Sequence, residues 1–327
     1  MSDKRKIIWI VIAVFIFSAV INAAAVGLWA RAQFDAPGPL PEIKTIVIAK
    51  GAGLGQIAGQ LESGGVIDHD WLFKIAVLVQ KRARQLKPGE YEFAAGQSMH
   101  SVIDQIADGK TVRRKFTAAE GMTTDEIIAK LLAADKMDGA IATRPAEGDL
   151  LPETYLYQLG DDRAGVIARM QSAMQTVLAD AWPKRAANLP ISKAREAVIL
   201  ASIVEKETAK PEERTRIAAV YVNRLRIGMP LQADPTVRYA MQLMGRDLSD
   251  GLTYDHLRTP HPYNTYVNPG LPPGPICNPG RDSILAVLNP LVTNELFFVA
   301  DGTGGHAFAT NLDAHNRNVA VWRRINR

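Results

Sequence analysis

The chain has 327 residues, 47% of them hydrophobic and 22% charged, so its composition is globular and excludes disordered, collagen-like and low-complexity classes. That length gives room for about two domains of roughly 150 residues each. A formal net charge of +4 suits an anionic surface such as a membrane or a cell-wall polymer and makes no case for nucleic acid, while the single cysteine, Cys277, has no partner for a disulfide, a zinc ribbon or an iron–sulfur site.

Ile7 to Ala30 is an apolar run of 24 residues without a charge, about 36 Å long as a helix against a bilayer core of about 30 Å. Lys4, Arg5 and Lys6 precede it, which by the positive-inside rule keeps residues 1–6 as a cytoplasmic tail and sends everything after Arg31 across the membrane. Trp9 and Trp29 sit near the two interfaces. The competing reading is a cleaved signal peptide ending at Ala23-Ala24-Ala25, but the run exceeds the roughly 7–15 residues of a signal-peptide core. Segment 31–43 contains Ala36-Pro-Gly-Pro-Leu-Pro41 and is expected to be an extended, semi-rigid linker.

Lys44 to Ala49 is a short β-branched strand, and from here a weak repeat runs through the next hundred residues. Gly51 is followed by apolar Ile57 and Leu61, Gly96 by Val102 and Ile106, and Gly121 by Ile127 and Leu131. These offsets fit one face of a short helix entered from a glycine turn, with Ser98 and Thr123 or Thr124 as N-caps. Strands are predicted at Tyr91–Phe93 and Thr111–Phe116, and a further helix at Trp71–Val79. The first two units resemble the small LysM-type fold, associated with glycans containing N-acetylglucosamine, so residues 44–117 are expected to form a LysM-like βα subdomain.

Residues 118–327 read as a larger mixed α/β domain. Glu147 to Tyr155 is a turn leading into Tyr155 and Tyr157, and helices are predicted at Gly165–Ala179 and Ser192–Glu207, the latter capped by Ser192. Ala197 to Val204 is apolar nearly all round, as in a buried helix, and ends in Glu205-Lys206-Glu207-Thr208. At about 100° per residue Glu207 continues the stripe of Leu200, Ile203 and Val204, whereas Glu205 lies above Val198, Ala201 and Ser202. Burial raises a carboxyl pKa, as a general acid at neutral pH requires; the alternative is that both glutamates fray into solvent at the helix end.

Pro211 to Gly228 carries the punctuation of a helix, with proline and acids first, arginines late and glycine after. Beyond it lie loops rich in Pro, Asn and Tyr, among them residues 229–237, 262–266, 270–276 and 278–280. Such loops are rigid and suit a sugar groove, although any single residue in them can equally serve a turn. Leu296–Ala300 and His306–Thr310 are a predicted hairpin, followed by a basic helix from Asp313.

Six ordered blocks closely resemble the endolytic murein transglycosylase family, also called MltG or YceG-like. They are Ala201–Thr208, Val222–Met229, Leu231–Val237, Tyr263–Tyr266, Gly270–Ile276 and Val299–Gly302 through His306–Phe308. The resemblance implies an α+β fold with one N-terminal transmembrane helix, a LysM-like subdomain and a transglycosylase domain. It also implies an enzyme that cuts nascent peptidoglycan strands internally, between N-acetylmuramic acid and N-acetylglucosamine, leaving 1,6-anhydro ends and acting as a glycan-strand terminase. In that family the catalytic acid is the second glutamate of Glu-Lys-Glu, here Glu207. Gln232, Asp234, Tyr263 and Asn264 are the expected substrate-positioning residues. The expected partners are peptidoglycan strands, the bilayer and peptidoglycan synthases, with no nucleic acid, metal or organic cofactor. The expected location is the inner membrane, with a cytoplasmic N-terminus and a periplasmic catalytic domain. Two other outcomes stay open: a non-catalytic glycan-binding scaffold of the cell-wall synthesis machinery, and hydrolysis with Asp234 or Glu205 as second carboxylate.

Overall fold

The structure is a computed structural model that describes residues 2–246, 248–249 and 251–325. Met1, residues 326–327 and the side chains of Lys4, Arg5 and Lys6 lie outside the described ones, and the expectations placed on them go no further. The chain is α+β, with mostly helical segments and four two-stranded sheets among the described residues. It forms two compact units, Met1–Arg114 and Lys115–Arg327, dividing slightly before the expected 117/118 boundary.

The first unit begins with α1 (Ser2–Asp35), whose stretch Ile7–Asp35 is long and apolar enough to cross a bilayer, with none of its apolar window buried in the protein. The helix runs through Asp35, so the first five residues of the expected extended linker are helical. The reason is packing: Ala30 and Phe34 lie against the core of this unit, Phe34 stacks on His100 and the Asp35 carboxylate meets His100 Nδ1 at 3.2 Å. Then come β1 (Lys44–Ile48), α2 (Leu54–Ser63), α3 (Asp70–Val79), β2 (Gly89–Phe93) and α4 (Met99–Asp108). β1 and β2 are antiparallel, Lys44 facing Phe93 and Ile48 facing Gly89. Ile57, Leu61, Val102 and Ile106, the repeat's apolar positions, are all buried with Phe73, Tyr91 and Phe93. Each contributes about 1.5–3 kcal/mol.

The second unit carries β3 (Arg114–Thr117), α5 (Thr124–Leu132), β4 (Met137–Asp138), β5 (Thr154–Tyr157), β6 (Asp161–Asp162) and α6 (Arg163–Ala181). It continues through α7 (Ala194–Glu207), a 3-10 turn at Pro211–Glu213, α8 (Arg214–Arg226), α9 (Asp234–Leu243), α10 (Tyr254–Arg258), α11 (Arg281–Leu288), β7 (Phe297–Ala300), β8 (His306–Ala309) and α12 (Leu312–Ile325). The repeat's third copy belongs here. Gly121 has φ +78°, as Gly51 and Gly96 have +83° and +65°, and the Thr123 side chain accepts from the Glu126 N–H in a capping box. β3 begins at Arg114 because Val112 N–H turns aside to the Glu90 carbonyl, so the strand predicted from Thr111 starts later. β3 pairs with β5, β4 with β6 in parallel, and β7 with β8 as the predicted antiparallel hairpin. α7 is the axis of this unit: every residue from Ala197 to Val204 is buried, among side chains of α8, α11 and the loops.

Candidate active site

α7 ends at Glu207 because the chain leaves helical geometry at Thr208 (φ −141°, ψ 137°), and Pro211 lies just beyond, where it forces the residue before it out of the α region. Its N-cap is Lys193 rather than the predicted Ser192; the Ser192 N–H instead donates to the Glu196 carboxylate at 2.6 Å. The buried body of the helix thus delivers Glu207 at its last turn, where unpaired carbonyls oppose a negative charge.

Glu207 lies between two depressions. One, of about 340 Å³, is lined by Asp234, Arg238, Tyr239 and Thr123; the other, of about 440 Å³, by Glu120, Thr208 and Arg214, and Lys206 and Glu207 belong to both. The carboxyl keeps some exposure to this groove but is embedded in protein, and burial, the largest cause, pushes its pKa up to about 7. The Tyr221 hydroxyl donates to Glu207 Oε1 at 2.5 Å and works the other way, as does the Arg224 charge, while the Asp234 charge adds to the rise. Burial and the neighbouring Glu207 also hold the Tyr221 hydroxyl well above its usual pKa, so it stays a donor. A carboxyl that, among the described residues, has one hydrogen-bond donor and no paired cation, and that is set in a groove, can hold a proton near pH 7 and pass it to an oxygen.

Glu205 is occluded too, its side chain 5% exposed, which the helical stripe did not indicate, but it is fully engaged. It accepts from the Gly280 N–H at 2.9 Å and faces Arg214 at 3.7 Å, a guanidinium that also bridges Glu120 at 3.1 Å and Asp282 at 3.4 Å. Glu205 thus ties α7 to the start of α11 while also lining the second depression, where Arg214 faces it.

The expected positioning residues divide. Asp234 lines the groove, exposed, and accepts from the Tyr266 hydroxyl at 2.6 Å. Gln232 is exposed with φ +49°, its N–H bonded to the Thr265 carbonyl at 3.1 Å, and its side chain does not line either depression. Tyr263 stands one ring behind the groove, edge-on to Tyr239 at 5.0 Å. Asn264 is a correction. It is fully buried, its amide donates to the Leu257 and Thr259 carbonyls and its Oδ1 accepts from the Tyr266 N–H, so it shapes the 256–266 loop and has nothing left for a sugar.

Four residues escaped the sequence reading. Tyr221 and Arg224 are a turn apart on α8; Arg224 donates to the Leu231 and Leu296 carbonyls and ties α8 to the loop before α9 and to the segment before β7. Tyr266 orients Asp234. Glu147 is buried within its turn: its Oε1 accepts from the Thr124 N–H and hydroxyl and from the Asn278 amide. Asn278, also fully buried, accepts from the Leu150 N–H and donates to Met122, so the 278–280 loop clamps the groove wall instead of presenting amides to it. A buried tyrosine or carboxylate in need of a partner was the available signal, but the partner's identity needs the tertiary pairing. Among the described residues no group of three or more His, Cys, Asp and Glu side chains is arranged to hold a metal ion.

Residues 46–321 match the model of the YceG-like family. The chain is similar to the endolytic murein transglycosylase of Streptococcus pneumoniae serotype 2, strain D39, at 30% identity over 84% of this chain and 58% of that protein. It is similar also to the endolytic murein transglycosylase of Bacillus subtilis strain 168, at 29% identity over 83% of this chain and 82% of that protein. The chain spans 58% of the length of the pneumococcal relatives it matches. In structure it resembles a crystallised yceG-like protein of Listeria monocytogenes, with TM-score 0.51 and 30% identity over 85% of this chain and 99% of that one.

Proposed function

The chain belongs to the YceG-like family, and from that membership we propose that it is an endolytic murein transglycosylase with Glu207 as its catalytic acid and base. The reading is carried by one observation, the Glu207 carboxyl held near pKa 7 in a groove with the Tyr221 hydroxyl donating to it. The two depressions flanking Glu207 give a polymer strand room on either side of the bond to be cut. Glu207 protonates the glycosidic oxygen between N-acetylmuramic acid and N-acetylglucosamine. As a carboxylate it then takes the proton from the muramyl C6 hydroxyl, which attacks C1 of its own ring and closes the 1,6-anhydro bridge. That nucleophile is intramolecular and already positioned, so no second catalytic carboxylate is needed. Asp234, fixed by Tyr266, keeps the proton on Glu207 and sets negative charge near the sugar where positive charge grows.

α1 serves as a single-pass anchor of the inner membrane, with residues after it on the periplasmic side. The enzyme so held releases nascent strands from the peptidoglycan synthases, acting as a terminase, and the LysM-like unit 44–117 contributes strand binding. Gln232 and Tyr263 assist positioning from outside the two depressions, Tyr263 through the Tyr239 ring that lines one of them. The test is Glu207→Gln, which keeps the shape and the hydrogen bond from Tyr221 but has no acidic proton to give. Cleavage of intact glycan strands is expected to fall by at least about 10²-fold with the fold unchanged. A loss below about tenfold would take the role away from Glu207, and glycan binding without any cleavage by the parent protein would leave a glycan-binding scaffold as the better reading.

A further inference from the structure

α3 carries two faces. Leu72, Phe73 and Val77 are buried in the core of the first unit, while Trp71, Ile75, Leu78 and Val79 are 43%, 51%, 59% and 76% exposed. At about 100° per residue those four fall within an arc of about 100°, the outward stripe of the helix. A helix that stays in water carries polar residues there, and an exposed apolar stripe of this kind marks a contact surface. The stripe starts at the apolar helix: Trp71 stacks on Trp29 of α1, ring centroids 6.1 Å apart and planes within 15°. Immediately after α3 comes Lys81-Arg-Ala-Arg-Gln-Leu-Lys87, in which Lys81, Arg84 and Lys87 are exposed and, among the described residues, neither Lys81 nor Arg84 pairs with a carboxylate. The cation within the stripe's edge, Lys74, is spent on Asp70 at 2.7 Å.

We infer that the outer face of α3 and the basic turn behind it lie on the surface of the same bilayer that α1 crosses, as a second, peripheral membrane contact. The inference rests on the proposed anchoring by α1. Lipid is favoured over a protein partner because the stripe is continuous with an apolar membrane-length helix, because tryptophan sits where the two join, and because free cations flank it. Tryptophan prefers the interfacial layer, and exposed Lys and Arg beside an apolar helical face are drawn to anionic headgroups. The contact holds the first unit flat against the membrane and fixes the height at which it meets a strand emerging there.

The test uses the full chain reconstituted in phosphatidylcholine vesicles containing phosphatidylglycerol. An environment-sensitive fluorophore is placed on Leu78→Cys, on Val14→Cys within α1 or on Ser172→Cys, an exposed position of α6; the native Cys277 is fully buried and does not compete for label. Lipids brominated on their acyl chains are expected to quench the label at 78 and at 14 and to leave that at 172 bright. The pair Lys81→Glu and Arg84→Glu is expected to weaken quenching at 78 but not at 14. Quenching at 14 with none at 78 overturns the peripheral contact while leaving the anchor intact. Absence of quenching at both overturns the anchor and this inference with it. An emission change at 78 that follows protein density in the vesicle rather than bromine overturns the lipid assignment in favour of a second copy.

Discussion

Because Glu207 has its pKa pushed up to about 7 in the folded chain, protonation links activity and stability at one atom. With Glu207 as the proposed acid, the protonated form acts at the first step, so the rate should fall as pH rises through about 7. Stability follows the same direction. The folded carboxyl binds its proton more tightly than an unfolded glutamate, whose pKa lies near the usual 4.5, so the folded state is favoured in acid and loses that advantage as pH rises from about 4.5 through 7. Glu207→Gln removes the burden of a buried charge: it should stabilise the protein by up to about 3 kcal/mol above pH 8 and by almost nothing at pH 4. Denaturant titrations at the two pH values check this, and an equal effect at both would mean that Glu207 is not desolvated. Tyr221→Phe removes the donor that favours the carboxylate, so the alkaline limb of the rate profile should move up by about one pH unit. An unmoved limb would reduce Tyr221 to packing. At this scale the helical stripe and the family resemblance pick out Glu207, but neither could show Tyr221, since which hydroxyl reaches the carboxylate depends on how α8 lies against α7. Asn264 misled for the same reason: an amide in a rigid loop reads alike whether it faces a sugar or its own backbone.

Glycine turns and apolar spacing made the helices legible, and the connections between them much less so. Offsets of six and ten from Gly51, Gly96 and Gly121 all fall on buried residues, and Ser98 and Thr123 cap as their hydroxyls suggested. The loop from Glu147 to Leu150 was legible only as a turn, because its burial comes from distant groups: Thr124, Arg195 and Asn278 all bond to it. Gly148 shows how closely that loop is packed. It has φ +79°, and a Cβ there would stand 2.6 Å from Pro275 and 3.0 Å from Val198 of α7. Gly148→Ala is therefore expected to cost about 2 kcal/mol or more and to lower the thermal midpoint measured by calorimetry. A midpoint within a degree of the parent's would mean the loop is not locked against α7.

At the scale of the molecule, each hydrophobic cluster lies wholly within one unit, residues 30–106 in the first and 116–308 in the second. The apolar helix was legible from composition alone, yet its continuation to Asp35 was not, because Phe34 and Asp35 find their partners on α4. With separate cores, deletion of 44–114 with α1 retained should leave unit 2 folded and raise the substrate concentration needed without changing the product. A stable truncated enzyme that is inactive even on short soluble glycans would show that the first unit builds part of the catalytic site. Intramolecular attack assisted by a single acid is checked by mass spectrometry of the fragments released from purified glycan strands. Intramolecular attack gives muramyl ends lighter by one water than hydrolysed ends, formed by the parent protein and absent with Glu207→Gln. Fragments carrying the added water would contradict it and place a hydrolytic carboxylate, Asp234 foremost, beside Glu207.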